Sequence, residues 1–457
     1  MKKNIFICLL LLFSLRVFSL EAKDVKAYTL NNSIPVYIVK NSGRIDAMSI
    51  FVRGGSSELK KDESGYKDFL YSMILYNNIT RNSVPRGDYQ DKSGTKFSYY
   101  TGYDFSRLTV TSIDEYFEEG IDYLTAMFRN PIFKQDLFNI IKTNKINDFY
   151  TMIYTPESLS DYHAEQIIFE NTPYNSFPFY TEESLEKISL DRIKKIYEKE
   201  FNEDKICIIV RSNINEKEIL ERLNKTMGVI KGAGAAAEKK SPVIKVKSQA
   251  FVKTSPDVQE TSTICRYYAT PASNTREYLA LRVASACYDK MLGNVLRGKY
   301  GICYSCGNVI TGRRINYGQD IIFSCSDFNE IKQKVSEVQN ILLSGKYICS
   351  IDEEKNFVFE DLNEIIEGFK NSQLISFYTS NRSSVEILDN VYGSIRQFNN
   401  PVQVYKYFDS IITLTQSEIL EAFKKYIATE NSLWIGITSS EQEEKLLEEL
   451  ERSENEF

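Results

Sequence analysis

The chain has 457 residues, 42% of them hydrophobic and 26% charged, ordinary values for a folded protein with a sizeable core. That length exceeds what one core usually serves, so two domains of roughly 200 residues each are expected. A formal charge of −6, with no concentrated basic stripe, excludes a nucleic-acid binder.

In chain order, "MKKNIFICLLLLFSLRVFSLEA" (residues 1–22) comes first, with two lysines, an apolar run from Ile5 to Leu15 and small residues at Ser19 and Ala22. This is the layout of a signal peptide, too short for a stable membrane span, and it predicts an exported protein, periplasmic or extracellular. Cys8 lies inside the apolar run rather than at a lipid-attachment position, and cleavage after Ala22 would move the formal charge to −8. A retained membrane anchor is the alternative reading.

Two strands, "PVYIVKN" and "AMSIFVRGG", lead into "GYKDFLYSMIL" at 65–75, where Tyr66, Phe69, Leu70, Met73 and Ile74 recur at helical spacing. Asp68, Tyr71 and Ser72 fall within one turn of that helix. A hairpin-like stretch, "FSYYTGYDFSRLTVTSI", and several helices follow. The half ends in "SLDRIKKIYEKEFNEDKICIIV", and "KGAGAAAEKKSPV" at 231–243 then breaks the periodicity as a linker.

The second half repeats the first. Ile193, Tyr197, Phe201, Cys207 and Ile209 match Ile419, Phe423, Ile427, Leu433 and Ile435 at one constant offset of 226. The expected organisation is a leader at 1–22, an αβ domain at 23–230, a linker at 231–245 and a second αβ domain at 246–457. The fold class is α+β: two homologous domains, each a mostly antiparallel sheet with helices packed on one face. The acidic end, "SSEQEEKLLEELERSENEF", is expected to be a solvated helix that frays.

Seven cysteines follow the leader: Cys207, Cys265, Cys287, Cys303, Cys306, Cys325 and Cys349. An odd number cannot all pair internally, and most sit in apolar contexts typical of buried thiols. "CYSC" at 303–306 reads as strand, which would put its two sulfurs on opposite faces and argues against a redox or zinc role.

"RGGSSELKKDESGYKDFLYSMIL" resembles the opening of the pitrilysin, insulinase and mitochondrial processing peptidase family of zinc peptidases. There a strand and a Gly-Ser turn precede a helix reading Gly-x-x-His-x-x-Glu-His-x-Leu. "DYLTAMFRNPIF" and "YDKMLGNVLRGKYGICYS" continue the resemblance, which covers nearly all of the chain after the leader. Carried over, the family's two histidines fall on Asp68 and Ser72 and its glutamate on Tyr71. The chemistry needs two imidazoles one turn apart and a carboxylate beside the metal-bound water. Ser72 is a poor zinc ligand, and a phenol of ordinary pKa near 10 is a poor base at neutral pH.

The family's third ligand is a glutamate roughly 75 residues further on, but no glutamate lies between Lys134 and Pro156, and the nearest acid is Asp148. The single histidine, His163, reads as a helix-surface or packing residue. The resemblance therefore implies a member without the zinc motif, with no cofactor of its own.

The second half keeps more of the family pattern. In similar enzymes an arginine and a tyrosine bind substrate main chain and polarise the scissile carbonyl, and Arg297 and Tyr304 match that pair around Gly301. A guanidinium and a phenol suit the task, since both donate to carbonyl oxygens or a developing oxyanion. Arg313 and Arg314 in "VITGRRINYG" are further candidates for the same cavity. The implied function is a catalytically inactive subunit that binds extended peptides, in a hetero- or homodimer. Its partner would be a homologue with the intact histidine motif, which alone would hold zinc. One alternative is a non-enzymatic scaffold or peptide-binding protein. Another is an active hydrolase with an atypical metal site at Asp68, Tyr71 and Asp148.

Overall fold

The computed structural model describes residues 24–231, 244, 246–255, 262–312, 315–325, 327–380 and 382–448. The expected leader, nearly all of the expected linker, Arg313, Arg314 and the end of the acidic tail lie outside these.

Six strands build the first sheet: β1 (Val25–Thr29), β2 (Pro35–Lys40), β3 (Ile45–Arg53), β4 (Lys96–Thr101), β5 (Phe105–Ile113) and β6 (Ile206–Ser212). Their order is β1-β2-β6-β3-β5-β4, antiparallel except for the β2–β6 pair. The second sheet holds β7 (Gln249–Thr254), β8 (Ser262–Ala269), β9 (Ser305–Ile310), β10 (Tyr317–Cys325) and β11 (Ser432–Thr438). Its order, β7-β11-β8-β10-β9, repeats the first from β2 onwards, and its parallel pair, β7–β11, falls in the same place. The chain is thus α+β with a duplicated sheet.

The described residues form two compact units that are not contiguous in sequence. One takes those up to Ile146, those from Ser176 through β6 and its following helix, and Ser376–Tyr407; the other takes Asn147–Asn175, those between Lys240 and Ile375, and those from Phe408 on. The exchanged segments have a visible cause. In β3 every residue from Asp46 to Val52 is buried, so both faces of the sheet are covered, as near-continuous apolar strands require. Within the first unit, Tyr392 of the helix Ser384–Phe398 stacks on Phe51 of β3, ring centroids 4.1 Å apart. Within the second, the helix Pro156–Ile168 brings the Ser160 hydroxyl to 2.8 Å from that of Tyr267 on β8. Each sheet therefore has its own repeat's helices on one face and a borrowed helix on the other. Among the described residues no helix is long and apolar enough to cross a membrane.

Candidate functional site

Helix α1 (Tyr66–Leu75) follows β3 and packs beside the edge strand β4. Gly65 opens it at φ +78°, and a Cβ there would lie 2.4 Å from the Tyr180 ring, so only glycine admits both the turn and that ring. The apolar face predicted from the sequence is buried, Tyr66, Phe69, Leu70, Met73 and Ile74 being each 1% exposed or less. Phe69 packs on Phe138, centroids 4.9 Å apart.

The three residues at the zinc-motif positions are held by other partners. Asp68 Oδ1 accepts the Tyr99 hydroxyl at 2.9 Å, and Oδ2 accepts the Tyr180 hydroxyl at 2.6 Å and lies 2.8 Å from the Lys145 ammonium. The Ser72 and Tyr99 hydroxyls are 2.6 Å apart; with the Tyr99 proton on Asp68, Ser72 is the donor. Burial first, and the Asp68 charge second, push the Tyr99 phenol up to about 12. Tyr71 turns away, its hydroxyl 3.4 Å from Glu200 Oε2, and burial and that carboxylate hold its proton on well above the usual phenol range. Glu200 in turn is ion-paired with Lys67, both side chains being 2% exposed or less.

A zinc ion needs open lone pairs from imidazole, thiolate or carboxylate. Here both oxygens of Asp68 are occupied by donors, one of them a lysine cation, and Ser72 and Tyr71 offer hydroxyls already committed elsewhere. These residues do not fit the metal. The atypical site considered above is not assembled around Tyr71, whose hydroxyl bonds Glu200 instead of joining Asp68. His163 packs its ring against Tyr162, centroids 5.2 Å apart, and burial together with the Lys253 charge lowers its pKa to about 4.

Sequence reasoning missed Lys145, Tyr99 and Tyr180. Lys145 sits on the helix Gln135–Tyr154, where a third metal ligand was sought; a search confined to carboxylates passed over it.

In the second unit, the helix α2 (Arg276–Leu292) continues into a wider turn with i→i+5 hydrogen bonding, Gly293–Lys299, a departure often found at functional positions. The Asn294 amide anchors this turn by donating to the carbonyls of Ile348 and Cys349 at 3.0 and 3.2 Å. Gly301, at φ +66°, then reverses the chain, and the Tyr304 amide donates to the Phe323 carbonyl at 3.0 Å, at the start of β9. Arg297 and Tyr304 meet as a result: the guanidinium lies 5.6 Å from the ring centroid, and Tyr304 is 70% exposed.

One expectation here is corrected. Strand β9 begins only at Ser305, so Cys303 lies before it in a turn and escapes the strand alternation.

Further along β9, Asn308 is buried and closely bonded. Its amide donates to Tyr268 and to Asp320 Oδ1, its side-chain carbonyl accepts from Ser285, and its backbone N–H is taken by Asp289 at 2.9 Å. A cleft of about 260 Å³ beside it is lined by Arg282, Ser285, Asp289, Asn308 and Gln373.

A duplicated αβ fold, with the helix of the expected zinc motif in place and each expected metal-binding position substituted, resembles a pitrilysin-type fold without its zinc ligands. Residues 187–344 match the family described as "Peptidase M16 inactive domain". Over 245 residues the chain is 24% identical to the "Non-peptidase homolog YmxG" of Helicobacter pylori (strain ATCC 700392 / 26695), covering 51% of this chain and 54% of that one. The chain spans about half the length of the curated relatives it matches. In fold it is similar to the peptidase M16 inactive domain from Pseudomonas fluorescens, with TM-score 0.75, 13% identity, and coverage of 91% of this chain and 98% of that one. It is also similar to the periplasmic protease PqqL from Escherichia coli, with TM-score 0.69, 11% identity, and coverage of 93% and 49%. The chain is thus similar in sequence to a non-peptidase homologue and in fold to proteins of the M16 peptidase class.

Proposed function

We propose that this protein is the non-catalytic subunit of an exported zinc peptidase, binding extended peptides through Arg297 and Tyr304 beside a homologue that carries the intact histidine motif. The observation that carries this reading is an asymmetry. At the zinc-motif positions every polar atom is engaged by a neighbour, whereas Arg297 and Tyr304 are stacked together and open to solvent. A guanidinium and a phenol side by side present several donors to peptide carbonyls, and a stacked pair loses less freedom on binding. Export is supported by the leader-like first 22 residues and by the periplasmic description of one structural neighbour.

The test is co-expression with a homologue bearing the intact motif, followed by purification and assay on an unstructured peptide. Arg297→Ala with Tyr304→Phe should lower kcat/KM at least tenfold, about 1.4 kcal/mol, without changing the melting temperature, since both side chains are exposed. Unchanged turnover, with the two chains still co-purifying, would sink this reading and favour the scaffold.

A further inference from the structure

We propose that the outer edge of the strand Phe357–Asp361 is a docking surface that takes a basic, extended segment of a partner polypeptide as an added β-strand. The surface does not use Arg297 or Tyr304, and it holds or fails independently of the reading given above.

The backbone supplies the first argument. Lys346–Ile351 and Phe357–Asp361 form a two-stranded antiparallel sheet of their own. At one end the Leu362 N–H donates to the Gly345 carbonyl at 3.0 Å, and at the other the Asp352 N–H donates to the Asn356 carbonyl at 3.1 Å. The alternation of an antiparallel pair then turns the N–H and C=O groups of Val358 and Glu360 inward, and those of Phe357, Phe359 and Asp361 outward. The Val358 carbonyl agrees with that direction, accepting the Cys349 thiol from the inner strand at 3.3 Å. The sheet's other edge is closed, because the Asn294 amide donates to the carbonyls of Ile348 and Cys349. Among the described residues no strand pairs with the outward edge.

The side chains supply the second argument. The sheet is anchored through its inner strand, where Ile348 is fully buried and Tyr347 packs on Phe369, ring centroids 5.5 Å apart. The outer strand carries the apolar run Phe357, Val358 and Phe359, with Val358 38% and Phe359 45% exposed. Two strands alone make a marginal sheet, and an open edge of β-branched and aromatic residues is a template for a third. In such an addition the outward N–H and C=O groups give affinity, and the alternate side chains give specificity.

Charge selects the occupant. Asp352, Glu353, Glu354, Glu360 and Asp361 are all exposed. Against them stand Lys346 and Lys355 of the same hairpin, and Lys299, whose ammonium lies 3.6 Å from the Phe357 ring centroid. A segment entering beside Glu360 and Asp361 gains from lysine or arginine and loses from acid, since like charges on neighbouring strands repel. A second copy of this chain would bring a hairpin of the same negative sign, the approach that charged edges oppose.

The experiment titrates the full-length protein into a fluorescein-labelled, amidated heptapeptide of alternating lysine and valine and reads anisotropy. Binding should saturate, a heptapeptide of alternating glutamate and valine should not bind, and hydrogen exchange of the segment 357–361 should slow when the basic peptide is present. Phe359→Pro removes one outward N–H and none of the inner ladder, so it should weaken binding about tenfold or more. Glu360→Lys with Asp361→Lys should reverse the preference toward the glutamate peptide; both positions are exposed, so this variant tests the surface even where the proline variant does not fold. The proposal is overturned by equal affinity for the two peptides, by unchanged exchange at 357–361, or by full binding in both variants. Binding lost in Arg297→Ala with Tyr304→Phe but kept in Phe359→Pro would also overturn it, while upholding the earlier reading. A wild-type dimer in sedimentation that Phe359→Pro disperses would overturn it by giving the edge to a second copy.

Discussion

Replacing Glu200 by Gln should be among the most damaging single changes to the first unit, and by more than replacing its partner Lys67 by Met. The two side chains are ion-paired, 1% and 2% exposed. Once Glu200 is neutral, the Lys67 ammonium keeps only Glu58, 3.9 Å away and 39% exposed. Breaking a buried pair in this way costs about 3–5 kcal/mol, because a desolvated charge loses its counterion. Lys67→Met leaves Glu200 with the Lys205 ammonium at 3.7 Å and the Tyr71 hydroxyl at 3.4 Å, so about half that cost is expected. For a cooperative unit of roughly 200 residues each kcal/mol moves the midpoint by about 2–4 °C. Glu200→Gln should therefore melt about 10 °C below the wild type in calorimetry. Lys67→Met should fall between them, and the double variant Lys67→Met with Glu200→Leu should recover most of the loss, having no charge left to strand. A Glu200→Gln protein that melts within about 2 °C of the wild type, or a double variant no better than Glu200→Gln, would refute the reasoning.

Other measurements bear on the same site and its surroundings. Writing the zinc motif back as Asp68→His, Tyr71→Glu and Ser72→His should leave the protein without stoichiometric zinc by elemental analysis while Lys145 remains, and adding Lys145→Glu should restore uptake. Lys145→Met alone should cost about 1–3 kcal/mol, since Asp68 keeps its two phenol donors; urea unfolding measures it. The Tyr99 phenol is held up to about 12 in the fold against about 10 in the unfolded chain. Its contribution is complete below pH 10 and drains away as the pH rises from 10 to 12, so Tyr99→Phe should show a shallower alkaline loss of stability. His163 has the opposite sign: a base lowered from 6.5 to about 4 stabilises the fold above pH 6.5 and loses that contribution as the pH falls toward 4. His163→Gln should flatten that acid limb.

How much of this was legible beforehand depended on the range of each contact. Helix α1 and its buried face could be read from spacing alone, because Tyr66, Phe69, Leu70, Met73 and Ile74 obey a local period. The duplicated sheet was legible through the constant offset between matched residues, and the structure gives that match the same strand order in both sheets. Tyr99 and Tyr180 were not legible, since they reach Asp68 from 31 and 112 residues away and tyrosine is common in this chain. The exchanged helices were hidden for the same reason, although a sign was present: "AMSIFV" in β3 is nearly all apolar, which a sheet covered on one face would not need. "CYSC" misled because the alternation rule was applied two residues before the strand begins.

The ladders of the two sheets allow a closer comparison of the halves. On the matched strands β6 and β11, Cys207 and Ile209 correspond to Leu433 and Ile435; these pair with Phe51 and Ser49 on β3, and with Tyr267 and Cys265 on β8. Following the register outward, Ser49 pairs with Thr109 and Cys265 with Ile321, and these in turn pair with Ser98 on β4 and Gly307 on β9. Tyr99 and Asn308 are thus the same position in the two repeats. Each is a polar residue on the edge strand, bonded to residues four apart on the adjoining helix: Asp68 and Ser72 in one, Ser285 and Asp289 in the other. Both repeats therefore tie this edge-strand position to the adjoining helix by hydrogen bonds, one beside a lysine cation and one around an amide. What distinguishes the second half lies beyond that place, at the widened turn 293–299. There the chain departs from regular helix and holds Arg297 and Tyr304 together at the surface. A search for the proposed peptide ligand should begin at that turn, where Arg297 and Tyr304 lie side by side and exposed.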